Sequence, residues 1–140
     1  MIRAVLDTNI VVSAHWSSQD AAALILDLAM AQYFRCFISE PLLEEYVEVL
    51  GRAQFGLDEQ KTARVMRRFR RAANLVVPRK SLRITADPDD NIVMECALEA
   101  RADFVVTGNI RHIPPRFQDI RVIAPRRFLT VLGSSPPGML

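Results

Sequence analysis

DPDDNIVMECALEARADFVVTGN, residues 87–109, reads as a helix followed by a strand, and that succession decides the fold. Asp87 before Pro88 is a helix start, with Asp as the cap and Pro at the first helical position, where a missing N–H costs nothing. A helical pattern runs from Pro88 to Arg101. The short apolar run Phe104–Val106 then reads as a buried strand. It ends at the polar group Thr107-Gly108-Asn109.

The alternation extends in both directions. Strand-like runs fall at Arg3–Leu6, Phe34–Ile38, Leu75–Val77, Phe104–Val106 and Arg121–Ile123. Helical patterns lie between them at Asp20–Ala31, Pro41–Arg52, Asp58–Ala73, Pro88–Arg101 and Pro125–Leu132. Strands alternating with helices predict a parallel sheet covered on both faces, an α/β class with three layers. The expected organisation is one domain over residues 1–133 and a flexible tail over 134–140.

Composition agrees with one packed domain. Half of the 140 residues are hydrophobic, enough for a real core. No apolar run reaches the ~18 residues of a membrane helix, and no basic segment with a cleavage site marks a secretion signal. The expectation is a cytoplasmic chain without a membrane partner. Cys36 and Cys96 are not in a CxxC pair and lie in apolar runs, so they read as buried thiols rather than zinc ligands or a disulfide. Net charge is only +2, but sixteen of the eighteen basic residues are Arg. Arg suits bidentate contacts to phosphate and carboxylate, which admits a nucleic acid or an acidic protein as partner.

In parallel sheets, ligands bind beyond the carboxyl ends of the strands. AVLDTNIVVSAH, residues 4–15, delivers Asp7 at such an end, between two apolar runs. An ionised Asp buried without compensation costs several kcal/mol, so a cation is expected near it. If the first strand neighbours Phe104–Val106, Asp7 meets Thr107-Gly108-Asn109. In PLLEEYVEVL, residues 41–50, Leu42, Leu43, Tyr46, Val49 and Leu50 form one helix face at ~100° per residue. Glu44 and Glu48 fall opposite that face. Glu45 falls at its edge, either as a surface Glu at a boundary position or as an acid reaching a cleft. Asp87, Asp89 and Asp90 crowd one helix start. The helix dipole favours acids there, but three within four residues repel one another and would welcome a cation. Spacing alone does not rank them. Crowded acids repel, so neutralising Asp7 or Asp90 is expected to leave a metal-free fold intact.

Carboxylates without thiolates or a histidine pair select Mg²⁺ or Mn²⁺ over Zn²⁺. His15 and His112 have no ligand-spaced partner. Phosphate loops of the GxxxxGK[ST] and GxGxxG types are absent, and Ser13 has no nucleophile-elbow pattern. The chemistry is therefore read as metal-assisted.

VLDTNIVVSA, SEPLLEEYVEVLGR, DPDDNIVMECALEARADFVVTGN and VIAPRRFL, taken together and in this order, resemble a PIN domain. More narrowly, the chain resembles the PIN-family toxins of bacterial toxin–antitoxin systems, relatives of the VapC-like ribonucleases. The resemblance runs from Ile2 to about Leu132. It implies an α/β/α sandwich, a cleft holding Mg²⁺ or Mn²⁺, and hydrolytic cleavage of RNA phosphodiester bonds. It implies Asp7, Glu45 and Asp90 as the catalytic, metal-holding acids, thereby choosing Asp90 over its neighbours. It also implies a supporting role for Thr107 and for Asn9, which would orient Asp7. The expected partners are RNA and a cognate antitoxin, with a homodimer compatible. One position departs from the family pattern: Asn109 stands where a fourth acid is common. That substitution sustains the alternative of a catalytically weak or inactive module that binds RNA or a protein. A phosphatase on another α/β fold ranks lower, because its usual second acid would fall at Asn9.

KTARVMRRFRRAA, residues 61–73, places Arg64, Arg67, Arg68 and Arg71 on one helical stripe, opposite Met66 and Phe69. The stripe is a solvated face, a track for RNA phosphates or a dock for an acidic antitoxin segment. Arg126 and Arg127 raise the same choice.

Overall fold

The computed structural model describes residues 1–17, 19–79, 81, 88–111 and 113–133, with the side chain of Asp89 left aside. The expected cap Asp87, His112 and the tail 134–140 lie outside the described residues.

Six strands form one sheet: β1 (Arg3–Leu6), β2 (Arg35–Ile38), β3 (Asn74–Leu75), β4 (Phe104–Val106), β5 (Arg116–Phe117) and β6 (Ile120–Ile123). Their spatial order is β3-β2-β1-β4-β6-β5. All neighbours are parallel except β5, which pairs antiparallel with β6. Six α-helices complete the α/β/α sandwich: α1 (Thr8–Trp16), α2 (Ala21–Met30), α3 (Glu40–Leu50), α4 (Glu59–Ala72), α5 (Pro88–Glu99) and α6 (Pro125–Gly133). A 3-10 turn occupies Ala53–Phe55.

The central strands show why the sheet is parallel. Ala4, Val5 and Leu6 of β1 are fully buried, as are Val105 and Val106 of β4. Strands apolar on both faces have to be covered by helices on both sides. α5 packs over β1, β2 and β4, while α2 packs against α1, α4 and α6.

The chain builds outward from β1 to β2 and β3, then crosses to β4 on the other side of β1. The reversal in strand order falls between β1 and β4, where such sheets open a crevice at their carboxyl ends. Leu6 is in register with Val106, and the Asp7 N–H donates to the Val106 carbonyl at 2.9 Å. Asp7 and Thr107 are thereby fixed side by side.

Three departures from the sequence reading have physical causes. The third strand is Asn74–Leu75 rather than Leu75–Val77, and Val77 is largely exposed. It is an edge strand, paired only on its β2 side, so an apolar run there need not be buried. β5 is too short to give a pattern and turns into β6 through Gln118, which adopts φ 53° without being a glycine. α1 was hidden because TNIVVSAHW is rich in β-branched residues, which lower intrinsic helix propensity. Tertiary packing against α2 and α3 supports it.

Candidate active site

Asp7 is 7 % exposed and is the N-cap of α1, with extended backbone at φ −67° and ψ 154°. Its Oδ1 accepts from the Thr8 N–H at 2.8 Å. Its Oδ2 accepts from the Thr107 hydroxyl at 2.7 Å and from Asn9 Nδ2 at 3.1 Å. Part of the positive field expected at Asp7 therefore comes from the peptide itself, because unsatisfied N–H groups and the dipole at a helix N-terminus stabilise a carboxylate. The carboxylate is held in one orientation with three donors around it.

Thr107 is the hub of this arrangement. It is fully buried. Its hydroxyl gives its proton to Asp7 and accepts from Asn9 Nδ2 at 3.2 Å and from the Asn109 N–H at 3.0 Å. Asn9 completes a second crosslink by accepting from the Gly108 N–H at 2.9 Å through Oδ1. The first turn of α1 and the loop after β4 are thus tied together by polar contacts that fix donors and acceptors uniquely.

α3 enters from the other side. Ser39, buried at the end of β2, caps it by accepting from the Leu42 N–H at 3.2 Å. The Tyr46 hydroxyl, fully buried, donates to the Leu6 carbonyl. This bond ties the middle of α3 to the residue preceding Asp7. Burial, the nearby thiols and the nearby carboxylates push the Tyr46 hydroxyl well above its ordinary pKa, so it stays a donor. Glu45 is half-buried beside this anchor, while Glu44 and Glu48 are exposed.

The result is a cleft of about 430 Å³ lined by Asp7, Asn9, Ser13, Glu45, Asp90 and Asn109, with Trp16, Arg52 and Phe55 among its other walls. Asp7, Glu45 and Asp90, far apart in sequence, share this cleft, and Asn109 lines it as well. Thr107 lies behind it. Arg64, Arg67, Arg68 and Arg71 are exposed on α4, and none is among the described lining residues. His15 lies on another side of α1, in a separate groove between α1, α2 and α4. Cys36 and Cys96 are buried free thiols whose pKa values are raised by burial, that of Cys96 to about 12. Neither is a nucleophile in the folded chain.

The donor chemistry of the cleft is hard oxygen. Among the described residues, no three His, Cys, Asp or Glu side chains stand close enough to form a complete ligand group on their own.

Comparison with known families bears on this geometry. Residues 3–111 match the family model described as PIN domain. The chain belongs to the PIN domain family. The match covers β1 through the loop after β4, and therefore every residue of the polar network around Asp7. No curated protein matches the chain. The PIN domain is a nuclease-type fold. Among the described residues, no helix is long and apolar enough to cross a membrane.

Sequence reasoning did not single out Ser13 and Trp16 as walls of the cleft, nor Arg52 and Phe55. The spacing of Asn9, Ser13 and Trp16, four and then three residues apart, is a helical face and would have pointed to the first two. Phe55 lies on a short connection that carries no periodic signal, and Arg52 closes the helical pattern Pro41–Arg52, two residues past the end of α3.

Proposed function

We propose that this PIN domain is a Mg²⁺- or Mn²⁺-dependent endoribonuclease that hydrolyses RNA phosphodiester bonds. The observation that carries the proposal is one cleft with three carboxylates, one of which, Asp7, is held nearly buried by three neutral donors. Few functions other than charge-assisted chemistry explain keeping an ionised acid in that place.

The donor set fits a hard divalent cation. Mg²⁺ keeps several waters and is usually held by one or two carboxylates plus substrate phosphates. Asp7 and Asp90 would hold the ion, with Glu45 as a further ligand or as the group that orients the attacking water. When bound, such an ion withdraws charge from a phosphoryl oxygen and lowers the pKa of water. The chain's own contributions are positional. Thr107 and Asn9 prevent Asp7 from rotating, and the Tyr46 bond to Leu6 ties α3, which carries Glu45, to the strand end that carries Asp7. Arg52, paired with Glu48 at 3.0 Å on the surface, is a cation on the cleft wall within reach of a phosphate.

A toxin role, with an antitoxin partner, follows from the resemblance to the toxin branch of the family. The exposed Arg64, Arg67, Arg68 and Arg71 would serve RNA phosphates or an acidic antitoxin segment. The second reading is a weak or inactive module. Asn109 favours it, since an amide on the cleft wall adds no charge to hold the ion. Incubating the purified chain with unstructured RNA and Mg²⁺ or Mn²⁺ separates the two. Endonucleolytic cleavage that stops with a chelator is expected, and intact RNA at all metal concentrations would leave only the binding module.

A further inference from the structure

We propose that Trp16, backed by Phe55, is a stacking platform for an unpaired nucleobase of the RNA strand whose backbone enters the acid-lined cleft. The inference rests on the ribonuclease reading above and names a feature of the substrate, a single-stranded segment beside the cut.

Trp16 is 65 % exposed, although it is the largest apolar side chain in the protein. It lies at the far end of α1 from Asp7 and lines the same cleft as the three acids. Phe55 meets it in a T-shaped contact, with ring centroids 5.5 Å apart and planes at 89°. In such a contact one ring presents its edge to the face of the other. Each ring therefore keeps at least one face clear of its partner. Phe55 is partly buried and packed against the core, so it supports Trp16 rather than competing with it for solvent exposure.

What such a surface binds follows from its shape and surroundings. Two rings are too small an area for a stable protein interface, which buries on the order of 1,200 Å² or more. A flat exposed indole next to a cation suits a nucleotide: bases stack on aromatic faces whatever their sequence, and Arg52 on the same wall suits a phosphate. Paired bases within a duplex have both faces occupied, so the platform selects unpaired ones. Trp16 is eight positions along the helix from Thr8, about 12 Å along the axis. At roughly 3.4 Å per stacked nucleotide, the base on Trp16 is on the order of two to four nucleotides from the phosphate at Asp7.

Trp16 is the only tryptophan in the chain, so its fluorescence reports stacking directly. The experiment titrates a short unstructured, end-labelled RNA into the wild-type chain in chelator and into the Asp90→Asn chain with Mg²⁺, reading Trp16 fluorescence in both and the anisotropy of the labelled RNA in these and in the Trp16 variants, and in parallel follows cleavage by the wild type. The expected result is quenching of Trp16, with affinity lowered about 5- to 150-fold by Trp16→Ala and by Trp16→Leu, and largely restored by Trp16→Phe. Trp16→Leu keeps apolar bulk against Phe55, so its loss of affinity is not a folding effect. Removing single bases along the RNA should weaken wild-type binding at one position and leave Trp16→Ala binding unchanged there. No quenching, with equal affinities for wild type and Trp16→Ala in both conditions, overturns the platform even if the wild type cleaves. Quenching and affinity loss without any cleavage keeps the platform and overturns the ribonuclease reading. Absence of both binding and cleavage overturns both.

Discussion

The polar network around Asp7 turns on a single hydroxyl. Thr107 Oγ1 is donor to one carboxylate and acceptor for two N–H groups. Thr107→Val keeps the shape and leaves those partners unsatisfied in a buried place, a cost of about 1–3 kcal/mol. Chemical denaturation should show that loss, with Thr107→Ser close to wild type. The same network corrects an expectation from sequence. Crowded acids suggest that neutralising Asp7 is harmless to the metal-free fold. Instead, an amide at this position has to set its NH2 either against the Thr8 N–H or against Thr107 and Asn9, groups that donate to the carboxylate. Asp7→Asn therefore destabilises as well as inactivates. Asp90 lies in the first turn of α5, where the helix dipole favours a carboxylate by roughly 0.3–1 kcal/mol, and Asp90→Asn gives up that interaction while keeping the side chain's shape. Asn109 offers a test of charge. Its backbone is anchored to Thr107 and its residue lines the cleft, so Asn109→Asp should tighten Mg²⁺ binding about tenfold and lower the thermal midpoint when metal is absent. Calorimetric titration without RNA reads the first and a melting curve the second; equal Mg²⁺ affinities would place Asn109 outside the metal site.

At the scale of elements, α3 is the part that has to be held in register, since Glu45 rides on it. Tyr46→Phe removes the donor to the Leu6 carbonyl and leaves the ring packed on Phe69. The expected outcome is a stability loss of about 1–2 kcal/mol and a drop in kcat with little change in KM, as Glu45 shifts against Asp7. Unchanged kcat would mean that the bond serves stability alone. The facing of α3 was legible from the sequence because Leu42, Leu43, Tyr46, Val49 and Leu50 repeat at helical spacing, which left Glu45 at the boundary. β1, β4 and their junction were legible because short, wholly apolar runs ended in polar residues. α1 was not, since its β-branched residues gave a strand-like composition and its helicity comes from contacts with α2 and α3. The β5–β6 hairpin was not, because its turn uses Gln118 and Asp119 in place of the Asn-Gly pair that marks such turns. Glu45 over Glu44 came from facing. Asp90 over Asp87 and Asp89 required the family resemblance, because all three acids satisfy the same helix-start rule.

The whole molecule places opposite electrostatic tasks on different surfaces. The acids share the crevice at the strand ends, while Arg64, Arg67, Arg68 and Arg71 are exposed on α4. If the stripe guides RNA, changing the four to Gln should flatten the dependence of log affinity on log salt. The slope should fall by about 0.7 for each phosphate of a single strand that the stripe no longer neutralises, with the cleavage step itself little affected once RNA is bound. An unchanged slope would make α4 a solvated face or the seat of another partner. The central claim of the proposed function is that the cleft at Asp7 and Asp90 performs metal-dependent hydrolysis of RNA. The most direct measurement compares cleavage rate and thermal midpoint for wild type and Asp90→Asn with Mg²⁺ or Mn²⁺. Cleavage by the wild type, abolished by a chelator and reduced by at least about a hundredfold in an Asp90→Asn protein that melts within a few degrees of it, is the predicted result. Cleavage at the wild-type rate by folded Asp90→Asn protein would contradict it.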